Sequence, residues 1–364
     1  MSNLKYQLYG APISYYTGKV RSYFKWKQIP YEETLSTAQV YKNIIVPRVG
    51  FPVIPVVVSP EDETLQDSTH IMDTLEQRFP QRSIYPTSPV QHFVAILLEI
   101  YGDEWLVIPA MHYRWHHNRD WAIEQFGATN APNATKAEQK QIGEKRAQPF
   151  AKAALMLGAE PHMYEAIEKS YEDLLAELDA HFAEHQYLLG ARASIADFGL
   201  FGPLYAHQFR DPKSGELMRR LAPNLLKWIE RMCEPKEEEI GEFLADDAIA
   251  PTLLPILRRM MREQLPALRD LSTGFGAWLA ENPNTDIPRV IGFHSFELEG
   301  KTGSRIMRVY SLWMMQRARD AYKSLNALDK GKVDSLLEAI DGGAFKDFQD
   351  PPRLERAGMS VKLQ

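Results

Sequence analysis

Residues 53–80 read VIPVVVSPEDETLQDSTHIMDTLEQRFP, and this stretch decides the fold. Residues 53–58 are an apolar run of strand length interrupted only by Pro55. Ser59-Pro60-Glu61-Asp62 is a turn, and Thr64-Leu65-Gln66 is a second short strand. Asp67-Ser68 then caps a helix that runs through Ile71, Leu75 and Phe79, four residues apart, and Pro80 stops it. Upstream, LKYQLY at 4–9 alternates Leu4, Tyr6 and Leu8 as a strand does, and Gly10-Ala11-Pro12 breaks it. A helix over 16–27 follows, with Val20, Tyr23, Phe24 and Lys27 three or four apart, ended by Ile29-Pro30. A further strand falls at Tyr31–Leu35. The order β-α-β-(α)-β-β-α is a small α/β sandwich.

The linker Tyr85-Pro86-Thr87-Ser88-Pro89 closes this unit, and the strand signal then vanishes. Helical patterns run over 90–117, 142–156, 162–183, 194–210 and 216–232, interrupted by a predicted loop at 127–140, GATNAPNATKAEQK. Within the fourth pattern, Ser194-Ile195-Ala196-Asp197 spells a capping box with Asp in place of Glu. Glu234-Pro235-Lys236-Glu237-Glu238-Glu239 is a charged linker; beyond it 251–281 and 304–325 read as helices, with a short strand or hairpin at 290–298 between them. The organisation is therefore α/β for residues 1–86, all-α for 90–235, and a mainly helical C-terminal extension over 236–364.

The chain has 42 Lys and Arg against 48 Asp and Glu, a net charge of −6, which argues against nucleic acid as a partner. Cys233 is the one cysteine, so intramolecular disulfides, CxxC redox chemistry and thiolate zinc sites are excluded, in keeping with a reducing, cytoplasmic setting. No apolar run approaches the ~18 residues of a membrane span, and Met1-Ser2-Asn3-Leu4-Lys5 has no apolar leader segment.

Four segments in the right order resemble the glutathione transferase superfamily: LYGAPISYYTGKVR (8–21), VIPVVV (53–58), LQDSTHIMDTLEQRFP (65–80) and LLGARASIADFGLFGPLY (188–205). The resemblance covers about residues 4–235. It implies a thioredoxin-like glutathione-binding domain at 1–86 and a glutathione transferase-type helical domain at 90–235; it assigns nothing to 236–364. Glutathione is then the co-substrate, a small apolar electrophile its partner, and a homodimer the expected assembly.

Each segment also has a physical reading. A cis bond before Pro55 would turn the chain and free the backbone of Ile54 to pair with an extended peptide; the alternative is a plain strand with an edge proline. Ser68 at a helix start can cap it, and the amides there bind anions. The resemblance implies that they hold the γ-glutamyl carboxylate, with Asp67 on the α-amine.

Catalysis by this family needs the glutathione thiol ionised by a hydrogen-bond donor near a helix N-terminus. Aligned on Lys19-Val20-Arg21, the tyrosine-type position falls on Gly10 and the serine-type position on Ser14. Ser14 is the candidate donor, or a simple cap of the first helix; Tyr15 and Tyr16 are nearby phenols that could replace it. His112 and Trp115 are candidates, with Tyr15 and Tyr16, for the electrophile pocket. His112 and His116 stand four apart, but the HExxH pattern is missing and no metal is expected. A non-catalytic protein that binds ligands on the same fold is the alternative function.

Overall fold

The structure is a computed structural model describing residues 5–364. Strand β1 (Tyr6–Gly10) lies parallel to β2 (Tyr31–Leu35) and antiparallel to β3 (Val56–Val58), which pairs antiparallel with β4 (Thr64–Gln66). The sheet order is β2-β1-β3-β4. In β1 the alternation sends Tyr6, Leu8 and Gly10 inward and leaves Gln7 and Tyr9 half-buried on the other face. Gly10 is required: a Cβ there would stand 2.1 Å from Cγ2 of Thr17, so the strand end and helix α1 (Tyr15–Lys27) could not approach as they do. Helix α2 (Ser68–Arg78) follows β4 and buries Ile71, Met72 and Leu75. A helical segment over 38–49 fills the connection between β2 and β3.

The helical layer begins at α3 (Pro89–Ile100) and continues through a wide π turn, Tyr101–Trp105, in which the Leu106 N–H donates to the Tyr101 carbonyl at 3.1 Å. Here α3 crosses α4 (Ile195–Pro203) at bare backbone. A Cβ on Gly102 would meet the Gly199 carbonyl carbon at 2.4 Å, and one on Gly199 would meet Glu99 Cα at 2.7 Å. The capping box at the start of α4 forms: Asp197 accepts from the N–H groups of Ser194 (2.8 Å) and Leu188 (3.0 Å) and from Trp228 Nε1 (3.0 Å). Burial pushes its carboxyl up to about 6, against these bonds. Asp197 has a structural task.

The segment 127–140 departs from the predicted loop. Helices Arg119–Asn130 and Lys136–Met156 pack as a hairpin with only 131–135 between them, and Thr135 with Glu138 forms a capping box that starts the second. The span 304–325 also divides. Strands β5 (Phe293–Leu298) and β6 (Lys301–Ile306) form a hairpin, and only then does helix α5 (Tyr310–Lys323) begin. Lys301 and Thr302 pair with Leu298 and Glu297 at the turn end of that hairpin.

The extension packs back onto the rest of the chain. A 28-residue helix, Leu254–Glu281, leads into the hairpin. Helix α5 then lies along α3, and a helix at Ala327–Ala339 and a last hairpin, Leu354–Ala357 with Ser360–Leu363, close the chain. No helix among the described residues is long and apolar enough to cross a membrane.

Candidate functional site

The bond Ile54–Pro55 is cis, and neither the N–H nor the carbonyl of Ile54 makes a hydrogen bond among the described residues. Across the same cleft stands the start of α2. Asp67 caps it, with Oδ1 accepting from the His70 N–H at 3.1 Å, and Oδ2 accepts the Tyr310 hydroxyl at 2.6 Å. Asp67 has φ +84°, a backbone state that costs a non-glycine residue of order 1–3 kcal/mol and tends to cluster at ligand clamps. Ser68 is buried, and the first amides of α2 have no partner within the helix. The cleft therefore brings Ile54, Pro55, Asp67 and Ser68 together, with Tyr16 beside them.

Ser14 is the N-cap of α1. Its Oγ accepts from the Thr17 N–H at 3.3 Å, which leaves its own proton free to donate. No acidic residue stands in the first turn of α1 to cancel the positive end of the helix. The two phenols are committed elsewhere: Tyr15 is buried and donates to the Gly102 carbonyl, and Tyr16 donates to the Asp103 carbonyl at 3.0 Å. Burial drives both above the usual phenol range. Tyr16 lines the cleft; Ser14 does not.

Two buried cations brace this region, and only the first touches the Ser14 loop. Arg114 is buried, pairs in a two-pronged way with Asp211 (2.8 and 2.7 Å) and donates to the carbonyl of Ile13 at 2.9 Å, next to Ser14. Lys19 is fully buried and pairs with Glu99 (2.8 Å) and Asp103 (2.5 Å). Glu99 also accepts from Thr69 at 2.8 Å and binds Arg317 of the extension, which reaches Asp73 at 3.2 Å. One charged network thus ties α1, α2, α3, the π turn and α5. Burial pushes Asp103 up, to about 7, with Lys19 opposing. For Glu99 burial acts upward, but Arg317 and Lys19 outweigh it and hold the carboxyl down at about 2.

His112 and Trp115 lie outside the cleft. Trp115 packs on Phe126, with ring centroids 5.8 Å apart. His112 Nε2 stands 2.8 Å from Glu168 Oε1, the same oxygen that His117 Nε2 meets at 2.7 Å. These three residues offer donor atoms within 4.8 Å of one another. Nδ1 of His112 has no acceptor, however, so nothing fixes the tautomer a metal ligand needs, and the trio is satisfied by Glu168 accepting from both rings. Burial lowers His112 to about 4.

The far wall of the cleft comes from the π turn and the extension: Asp103 and Glu104, then Arg289, Arg308 and Tyr310, with Gly358 and Met359 from the tip of the last hairpin. This wall is polar and charged, and of the four residues expected around the electrophile only Tyr16 lines the cleft.

A four-stranded sheet with a cis-proline edge and a capped anion-binding helix start, followed by a helical domain, defines a thioredoxin-like domain joined to a helical partner. Residues 8–83 match the glutathione S-transferase N-terminal domain, and residues 161–231 the glutathione S-transferase C-terminal domain. The chain thus carries matches to both domains of the glutathione S-transferase family, in the family's order. No curated protein matches it by sequence. Among solved structures it is similar to the β-etherase LigF of Sphingobium sp. strain SYK-6, at 18% identity over 65% of this chain and 98% of that one, TM-score 0.48. It is also similar to a glutathione S-transferase of Methylobacterium radiotolerans in complex with glutathione sulfonate, at 18% identity over 67% and 100% of the chains, TM-score 0.41. A third is glutathione transferase F7 of Populus trichocarpa, at 15% identity over 65% and 100%, TM-score 0.42.

Proposed function

We propose that the protein binds glutathione in this cleft and conjugates it to a small electrophile, with Ser14 donating a hydrogen bond to the sulfur. The observation that carries the reading is the set of unspent backbone groups at Ile54 and at the start of α2, beside the Asp67 carboxylate. An extended peptide with a carboxylate and an ammonium at one end is its complement. Ser14 is favoured over the phenols because its proton is free while those of Tyr15 and Tyr16 are given to carbonyls. In the reaction the thiol proton leaves to solvent and a sulfur lone pair forms the S–C bond. The leaving group departs with the electron pair of the bond it breaks. The positive end of α1 and the Ser14 hydroxyl favour the thiolate on which this depends.

A second reading, ligand binding without turnover, is favoured by one observation: Ser14 is not among the side chains that wall the cleft. Calorimetric titration with glutathione, followed by a search for conjugate with reactive electrophiles, separates the two. Binding with turnover supports the enzyme, binding alone supports the second reading, and no binding refutes both.

The family resemblance implies a dimer that joins the N-terminal domain of one subunit to the helical domain of another. Here Tyr310 and Arg317 of the chain's own extension already engage Asp67, Asp73 and Glu99. We therefore read the extension as standing in a partner's place, and expect a monomer. A cytoplasmic location is the setting that suits one unpaired thiol, Cys233.

A further inference from the structure

We propose that Arg289, with Arg308 beside it, forms a subsite for a carboxylate carried by the second substrate, so that the molecule conjugated here is an organic anion and not an uncharged apolar one. The inference rests on the reading that glutathione occupies the cleft.

Both arginines line the cleft and both come from the extension, the part of the chain to which the family resemblance assigns no role. Charge is unbalanced around them. Arg308 pairs with Glu104 Oε2 at 2.8 Å, and its Nε has no partner. Glu104 is already shared, since it also accepts from Ser311. Behind them Arg305 is buried and donates only to the backbone carbonyl of Glu104, at 3.2 Å, while its guanidinium lies over the Trp105 ring at 5.1 Å. Three guanidiniums thus gather about one carboxylate. Arg289 itself is exposed, lines the cleft, and has no ion pair and no hydrogen bond among the described residues.

The other acids of the cleft face elsewhere. Asp103 pairs with Lys19 through Oδ2, and Asp67, which the reading above gives to the glutathione ammonium, holds Tyr310 and the His70 N–H. An anion brought in from outside is the natural counter-charge. A carboxylate fits best, because a guanidinium offers it two parallel donors.

Position decides whose carboxylate it is. Arg308 pairs with Glu104, and the carbonyl of the adjacent Asp103 accepts the hydroxyl of Tyr16, two residues along α1 from Ser14, whereas Tyr310 sits over Asp67. The γ-glutamyl group belongs at the Asp67 end in the reading above. The arginines therefore stand toward the end where the sulfur and its reaction partner meet.

The test compares two conjugates that differ only in charge at the sulfur substituent. The intact protein is titrated with glutathione, S-propylglutathione and S-(carboxymethyl)glutathione. Wild type should bind the carboxymethyl conjugate about ten- to hundredfold more tightly than the propyl one, the worth of hydrogen bonds to a charged group. Arg289→Gln should collapse that ratio toward unity, and Arg289→Lys should keep part of it, with thermal melts checking that each variant is folded. Equal binding of the two conjugates by wild type overturns the proposal. It also falls if Arg289→Gln weakens glutathione itself as much as the carboxymethyl conjugate, because the site would then serve glutathione's own carboxylate. If neither glutathione nor its conjugates bind, the reading of the cleft fails first and takes this one with it.

Discussion

Replacing Asp67 by Asn separates the two tasks that the structure gives this side chain. As cap, Asp67 accepts from the His70 N–H at 3.1 Å, and Asn does this equally well. Asn also tolerates the positive φ of +84° better than most residues. The amide would face the Tyr310 hydroxyl, now 2.6 Å from Oδ2, and that hydroxyl can turn from donor to acceptor. Stability should therefore change by less than about 1 kcal/mol. The negative charge is lost, and with it the partner of the glutathione ammonium. A hydrogen bond to a charged group is worth roughly 1.5–3 kcal/mol, so affinity should fall about ten- to hundredfold. Asp67→Ala is the contrast: it also removes the cap, at ~1 kcal/mol, and sets a Cβ-bearing residue at positive φ with nothing to hold it there, at a further ~1–2 kcal/mol. Calorimetry reads the affinity and urea unfolding reads the stability. Unchanged glutathione affinity in Asp67→Asn would refute the placement of the ammonium, whatever the unfolding data show.

Lys19→Met should cost about 3–5 kcal/mol of folding stability, because it strands two buried carboxylates, Glu99 and Asp103, of which Asp103 has no second ion-pair partner; a loss under ~1 kcal/mol in denaturant titration would contradict the network. Buried groups of opposite sign share the range from pH 7 to 4. Burial holds His112 and His181 down at about 4 and lowers His207 as well, against 6.5 unfolded, so their stability is lost as pH falls toward 4, at about 3 kcal/mol for each of the first two; Asp103 and Asp197, pushed up to about 7 and about 6, add stability over the same range. The stability difference between wild type and His112→Gln isolates one histidine: it should shift by about 3 kcal/mol against wild type from pH 7 to pH 4, and a difference independent of pH would exclude this. Light scattering on the intact chain should give one subunit, 41.7 kDa; a dimer would show that the extension does not take a partner's place.

The sandwich was legible because its signals are local. The alternation in β1, the apolar run at 53–58 and the Asp67-Ser68 cap each act within a few residues. The helix at Arg119–Asn130 and the first turns of the one at Lys136–Met156 were lost because Gly127, Asn130, Pro132 and Asn133 spell a loop; the Thr135–Glu138 capping box was the signal that marked a helix start. The β5–β6 hairpin was half seen, since its second strand, KTGSRI, was absorbed into the helix that follows it. The far wall of the cleft was not legible. Tyr310 meets Asp67 across 243 residues and Arg317 meets Asp73 across 244, and no local pattern encodes a pairing of that separation. Arg114 stood in plain view within HYRWHH, yet histidine spacing drew the reading away from the one residue of that run that touches the Ser14 loop.

The central claim, that Ser14 activates a thiol held in this cleft, is tested most directly by the thiol pKa of bound glutathione in wild type and in Ser14→Ala. The account predicts a bound thiol well below the ~8.5 of a free thiol in wild type. In Ser14→Ala it should rise by about 1–2 pH units, the equivalent of one hydrogen bond to a charged acceptor, with affinity largely kept. Tyr16→Phe should leave the pKa near its wild-type value, because that phenol's proton belongs to the Asp103 carbonyl. A bound thiol that titrates as it does free in solution, or one that Tyr16→Phe moves further than Ser14→Ala does, would contradict the account.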